Sequence, residues 1–342
     1  MGVMVGRFCA SGLQYLKRFY TSRVVPIEQI KELRKQTGAP LSEVKKALQE
    51  EETLEAAIQW LRRRGVELAS KKKDRSANDG LVAALFSKDS KSAAAVEVNC
   101  ESDFVAKTSE FQKLATGLCN TVLSYAPNSD KPGKVIQLSQ EDIESLQGHT
   151  VSIQSRELSV KDAISQTVAT LGEKITLSNA FYLSIGDSGV ISSYVHNKSN
   201  DYLGKIVTLV SLCWSKDVTK PKPEVEDVIR NAGKELCMHI TASSPQYIRR
   251  GDIPDEVLER ERGILFEQAK SSGKPEHAIQ KMVDGRLLKF FEQVVLMDQS
   301  FIRDQQLAKP RKIARYLEEL SQEVGFQIFI EDYLRLSVGT KA

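Results

Sequence analysis

The chain has 342 residues, 41% hydrophobic and 27% charged, which is enough for two or three compact units with their own cores. No run reaches the roughly 18 uninterrupted apolar residues of a membrane-spanning helix, and even Ile206 to Trp214 is broken by Thr208 and Ser211. The five cysteines are odd in number and lack a Cys-x-x-Cys pair, which argues against a disulfide framework or a zinc site and fits a reducing compartment.

Residues 1–25 carry Arg7, Lys17, Arg18 and Arg23, no acid, and the hydroxyls of Ser11, Thr21 and Ser22 among apolar Val3, Phe8, Leu13 and Leu16. That is the composition of an organelle transit peptide, assigned to residues 1–23; a frayed basic terminus is the alternative. Without those four cations the formal net charge moves from +3 to −1. Wholesale nucleic-acid binding then loses its main electrostatic argument.

In residues 24–66, apolar side chains recur at three- and four-residue spacing: Ile27, Ile30, Leu33; Leu41, Val44, Ala47, Leu48; Leu54, Ala57, Ile58, Leu61. This predicts three short helices, the first closed by Thr37-Gly38 and the third capped by Thr53, forming a docking module. The basic run from Arg62 to Arg75 reads as a linker, placed at 67–79, either a solvated hinge or an RNA site.

Residues 80–150 and 151–342 share a plan and are expected to be two core subdomains. Gly80-Leu81-Val82 opens a strand, Lys88 to Ser92 turns, Ala95 to Val98 returns, and a helix follows. In the second, Gly189-Val190-Ile191 opens, Asn197 to Asp201 turns, Gly204 to Cys213 returns, and Glu224 to Ile240 is helical by spacing. The expected fold is α+β: a three-helix module, two duplicated antiparallel-sheet-plus-helix subdomains, and an antiparallel helix pair over 255–291 that breaks at Gly273-Lys274-Pro275. Alternation at Val324, Phe326, Ile328 and Ile330 predicts a final strand.

Catalytic signatures are missing: the sequence has no P-loop, no Gly-x-Gly-x-x-Gly, no Gly-x-Ser-x-Gly and no His-x-x-x-His. This predicts no cofactor, no metal site, no direct nucleotide binding and no enzymatic chemistry, and the scattered histidines point the same way. What stands out is Glu97-Val98-Asn99-Cys100-Glu101-Ser102-Asp103-Phe104-Val105-Ala106-Lys107, a strand running into a helix with an aromatic at its tip. Two readings remain open. Asp103 would serve as an N-cap with Phe104 packed inward on the face of Phe111, Leu114, Leu118 and Val122, or the tip would meet a partner.

This run resembles the signature of the elongation factor Ts family, exchange factors of elongation factor Tu. Further segments resemble the family in order: Leu33-Arg34-Lys35-Gln36-Thr37-Gly38-Ala39 with Lys45-Lys46-Ala47-Leu48, Met238-His239-Ile240, Ser243-Ser244-Pro245-Gln246-Tyr247-Ile248, and Met282-Val283-Asp284-Gly285-Arg286. Pro40-Leu41-Ser42 departs from the Gly-Met-Met of bacterial relatives, and Ser102 replaces the usual Thr.

With the leader, the resemblance implies a mitochondrial matrix exchange factor that binds mitochondrial elongation factor Tu and promotes GDP release by disturbing its magnesium and phosphate site. It implies that Asp103 and Phe104 reach the GTPase, that Leu41 and Lys45 anchor the N-terminal module on its nucleotide domain, and that His239 meets another of its domains. The alternative is an adaptor, binding ubiquitin through a module shaped like a ubiquitin-associated domain or RNA through the basic linker.

Overall fold

A computed structural model describes residues 25–127, 132–153, 156–215, 218, 221–270 and 275–339; the expected transit peptide and the break at 273–274 lie outside them. The N-terminal module comprises α1 (Ile27–Thr37), α2 (Leu41–Glu50) and α3 (Leu54–Lys71) around buried Leu33, Val44, Ala47, Leu48, Ala57 and Leu61. Gly38 ends α1 at φ 69°, a left-handed cap that glycine adopts without strain, and the Thr53 hydroxyl accepts from Ala56 N at 3.2 Å to start α3.

The core follows as β1 (Asp79–Phe86), β2 (Ser92–Cys100), α4 (Asp103–Ala106), α5 (Ser109–Tyr125), β3 (Val135–Gln137), α6 (Gln140–Leu146), β4 (Thr150–Ile153), β5 (Arg156–Ser159), α7 (Val160–Leu171) and β6 (Ile175–Ser184). Then come β7 (Gly189–His196), β8 (Leu203–Gly204), β9 (Ile206–Trp214), α8 (Pro223–Ser243), α9 (Asp255–Lys270), α10 (Glu276–Val294), α11 (Ile313–Val324) and β10 (Ile328–Ser337).

The first sheet has the order β3-β6-β2-β1-β8 and the second β10-β9-β7, with antiparallel pairing throughout. Because side chains alternate along each strand, the sheets bury both faces. Val82, Ala84, Ala93, Ala95, Phe181 and Leu183 meet Ile191, Val195, Val207, Leu209, Leu334 and Leu336 of the second sheet. On the outer faces, Val96, Val98 and Cys100 pack under Phe111, Leu114 and Leu118 of α5, and Val210 and Leu212 pack under Ile229, Leu236 and Ile240 of α8. The two sheet-plus-helix units therefore stack as four layers, helix, sheet, sheet, helix.

A buried carboxylate lies between the sheets. Glu97 is 2% exposed and accepts from Asn99 Nδ2 at 2.9 Å, Asn179 Nδ2 at 2.8 Å and, just past β10, the backbone N of Gly339 at 2.8 Å. These donors replace the water that the carboxyl group would otherwise hold.

Three expectations are revised by the structure. Helix α3 continues through Lys71, so the stretch expected as a linker from residue 67 is helical for its first part. Its small face lies against α7, where a Cβ on Gly65 would sit 3.2 Å from Ser165 O. Alternation over 324–330 hid a helix, because Ile313, Leu317, Leu320 and Val324 keep the 3.6-residue period and Gly325, at φ 85°, ends α11 before β10 begins. The first sheet also takes in β6, which lies beyond residue 150. The helix pair α9 and α10 forms as expected, closing on Leu265, Ala269, Ile279, Val283, Leu287 and Phe291.

Gly80 sits at φ 146°, where a Cβ would meet Val98 O at 2.1 Å and Asn99 Cα at 2.8 Å, both backbone atoms of the paired strand. Gly80→Ala is expected to destabilise the fold by roughly 3 kcal/mol, through overpacking and backbone strain, read as a lower urea midpoint at unchanged slope.

Candidate partner-binding face

The tip is built where β2 leaves the core. After Cys100, the residues Glu101 and Ser102 lead into α4, and the N-cap is Ser102, not Asp103 as the inward reading had it: its Oγ accepts from Val105 N at 3.4 Å. Val105 and Ala106 pack into the core beneath and fix the short helix. With α4 ending at Ala106 and α5 beginning at Ser109, Phe104 leaves the face of Phe111 and points outward, 78% exposed. The inward reading of Phe104 is thereby corrected.

Asp103 shares this turn and pairs with Lys107 at 2.7 Å, whose Nζ also lies 5.8 Å from the Phe104 ring centroid. An aromatic left in water on a rigid base, with a carboxylate and an ammonium beside it, is a surface suited to protein contact.

Ser102 is held from behind by the turn between α7 and β6. Glu173 accepts from Ser102 N at 2.9 Å and from Ser102 Oγ at 2.6 Å, while Glu101 accepts from Lys174 N at 2.6 Å. That backbone bond, foremost, holds the Glu101 carboxyl below its ordinary range, with Arg75 adding to it. Sequence reading missed Glu173 and Lys174 because the period of α7, in Val160, Ala163 and Val168, went unrecognised. Beneath the tip, burial pushes the Cys100 thiol up to about 12, so it remains protonated and unreactive.

Leu41 and Lys45 lie four residues apart on α2 and therefore share a face. Leu41 is 44% exposed and Lys45 is exposed. The remaining expected residue is placed differently. His239 is fully buried on α8, with Nε2 against Gln299 Oε1 at 2.9 Å and Nδ1 accepting from Ile302 N at 3.3 Å. Its ring presents no surface for the direct contact expected of it and instead fastens the segment 299–302 to α8. Its exposed neighbour is Met238. The five residues thus stand on three elements, with Asp103 and Phe104 together, Leu41 and Lys45 together, and His239 apart.

The family model for elongation factor Ts matches residues 101–340, beginning at the residue that leads into this tip. The chain belongs to the elongation factor Ts family. It is 38% identical over 333 residues to the mitochondrial elongation factor Ts of Zea mays, covering 95% of this chain and 83% of the relative. Elongation factor Ts of Rhizobium etli is 37% identical over 311 residues, 91% of each chain. The mitochondrial elongation factor Ts of Ricinus communis is 37% identical over 312 residues, 91% of this chain and 79% of the relative. The chain therefore matches these relatives across the helical module as well as the core.

Burial lowers the pKa of His239 from its ordinary 6.5 and keeps the ring neutral. A depressed folded-state pKa contributes stability above the unfolded value that is lost as pH falls, because the unfolded chain takes up the proton first. The urea midpoint is expected to fall between roughly pH 7.5 and pH 5.5, and His239→Gln is expected to flatten that fall.

Proposed function

We propose that the protein is a guanine-nucleotide exchange factor of translation elongation, acting in the mitochondrial matrix on elongation factor Tu. Family membership supports the exchange role, and the mitochondrial relatives of Zea mays and Ricinus communis support the compartment. The observation that carries the mechanism is Phe104, a 78% exposed ring on a base fixed by buried Val105 and Ala106.

In this reading Phe104 enters the GTPase near its magnesium site, with Asp103 guiding the approach. Magnesium demands near-ideal octahedral oxygen geometry and bridges the nucleotide phosphates, so a small displacement of its surroundings weakens nucleotide retention disproportionately. Leu41 and Lys45 dock the helical module on the nucleotide domain, and His239 contributes by holding the 299–302 segment in place. No acid, base or nucleophile is required of this chain.

Exchange follows from linkage. A factor that binds the empty GTPase better than the loaded one lowers nucleotide affinity by the same ratio, and excess GTP later drives the factor off. Nanomolar binding corresponds to roughly 12 kcal/mol, and a mutual penalty of a few kilocalories suffices for turnover.

Phe104→Ala is expected to leave unfolding within about 0.5 kcal/mol of wild type, as for exposed positions generally, and to slow GDP release by roughly a hundredfold, leaving a residual acceleration that stopped-flow measurements resolve. Release at the wild-type rate would sink the assignment. Leu41→Ser combined with Lys45→Ala is expected to raise the factor concentration giving half-maximal release by roughly tenfold while sparing the maximal rate; a lowered maximal rate at unchanged half-saturation would contradict the docking role.

A further inference from the structure

Two loops meet behind the tip because β2 and β6 pair with Cys100 opposite Ile175. This register sets residues 101–102, leaving β2, beside residues 172–174, entering β6. Each loop offers a carboxylate to the other's backbone: Glu173 takes Ser102 N at 2.9 Å, and Glu101 takes Lys174 N at 2.6 Å. Ser102 Oγ donates a hydrogen bond to the second Glu173 oxygen at 2.6 Å while accepting from Val105 N. The N–H and the hydroxyl of the N-cap residue are thereby committed to fixed directions, and with them the first turn of α4.

The same turn receives the chain leaving the helical module. Lys72 Nζ donates to Gly172 O, Lys174 Nζ donates to Arg75 O at 2.7 Å, and Arg75 Nη1 reaches the Glu101 carboxylate at 3.3 Å and 3.4 Å. The basic residues that read as a solvated hinge therefore fasten the end of α3 to the base of the tip. The short contacts are those onto the two carboxyl groups from Ser102 and Lys174, at 2.6 to 2.9 Å, whereas the exposed Arg75–Glu101 pair is longer and contributes little; the crossed pairs between the loops give the geometric definition.

We propose that Glu173 and Glu101 are positioning residues for nucleotide release, a crossed carboxylate clamp that sets the angle of Phe104 and ties it to the module carrying Leu41 and Lys45. The inference rests on the reading of Phe104 as the group that enters the GTPase. In this assignment they act not by meeting the partner but through the two loops they cross-link and the turn that Ser102 caps. A ring held at one angle enters its target without first losing rotational freedom.

The test measures GDP release from the GTPase at saturating factor and at half-saturation, for Glu173→Ala, Glu173→Gln, Phe104→Ala and the double variant Phe104→Ala with Glu173→Ala, alongside urea unfolding of each. Glu173→Ala is expected to lower the maximal release rate by roughly tenfold or more with half-saturation little changed, as misplacement of a reacting group does. Glu173→Gln, which still accepts one bond from Ser102, is expected to recover part of the rate. In the Phe104→Ala background, Glu173→Ala is expected to add no further loss, because no ring remains to position. Wild-type release by Glu173→Ala beside a slow Phe104→Ala overturns the clamp alone. So do losses that multiply in the double variant, or a rate loss in both Glu173 variants that simply follows lowered stability. Wild-type release by Phe104→Ala overturns the reading of the tip and the clamp with it.

Discussion

Strand β2 governs this architecture because both of its faces are covered. Val96, Val98 and Cys100 lie under α5, and Ala93 and Ala95 face the second sheet. Alanines there, joined by Ala84 of β1, allow two sheets to approach closely, while bulkier side chains from β7, β9 and β10 fill the space between. A strand flanked by β1 and β6 and covered above and below has no freedom of its own. Phe104, just past its end, inherits that rigidity, which an aromatic on a long loop would lack.

Much of this was legible from spacing. The three N-terminal helices, the β1–β2 and β7–β9 strand pairs, α8 and the α9–α10 pair all have a clear period or clean punctuation by Gly38, Thr53 or the Gly273-Lys274-Pro275 break. Helix α11 was obscured because Val324 and Phe326 fit an alternating pattern with Ile328, and a period of two over so few residues does not separate strand from helix end. Helix α3 past Arg62 reads as a solvated linker because its outward face is basic, yet Gly65 and Ala69 form a small inward face against α7. Composition records the charge and misses the packing.

The exposed tip was easier to find in the sequence than to orient. Phe104 was visible as an aromatic at a strand-to-helix junction, but its direction depended on where α4 stops, a two-residue question beyond periodicity. The resemblance alone gave His239 a partner contact, whereas its burial depends on Gln299 and Ile302, some sixty positions later in the chain. Glu173 lies 71 residues from the serine it holds. Such pairings are set by strand register, and no local window of sequence contains both partners.

The bond between Gly339 and Glu97 spans 242 positions, so the inter-sheet carboxylate gains its last donor only when the end of the chain arrives. On the ribosome, the apolar inner face of the first sheet would be made long before Leu334 and Leu336 emerge to help cover it. Loop closure over such a distance is slow compared with helix formation. Until β10 pairs with β9, the inner face of the first sheet lacks the cover that Leu334 and Leu336 supply.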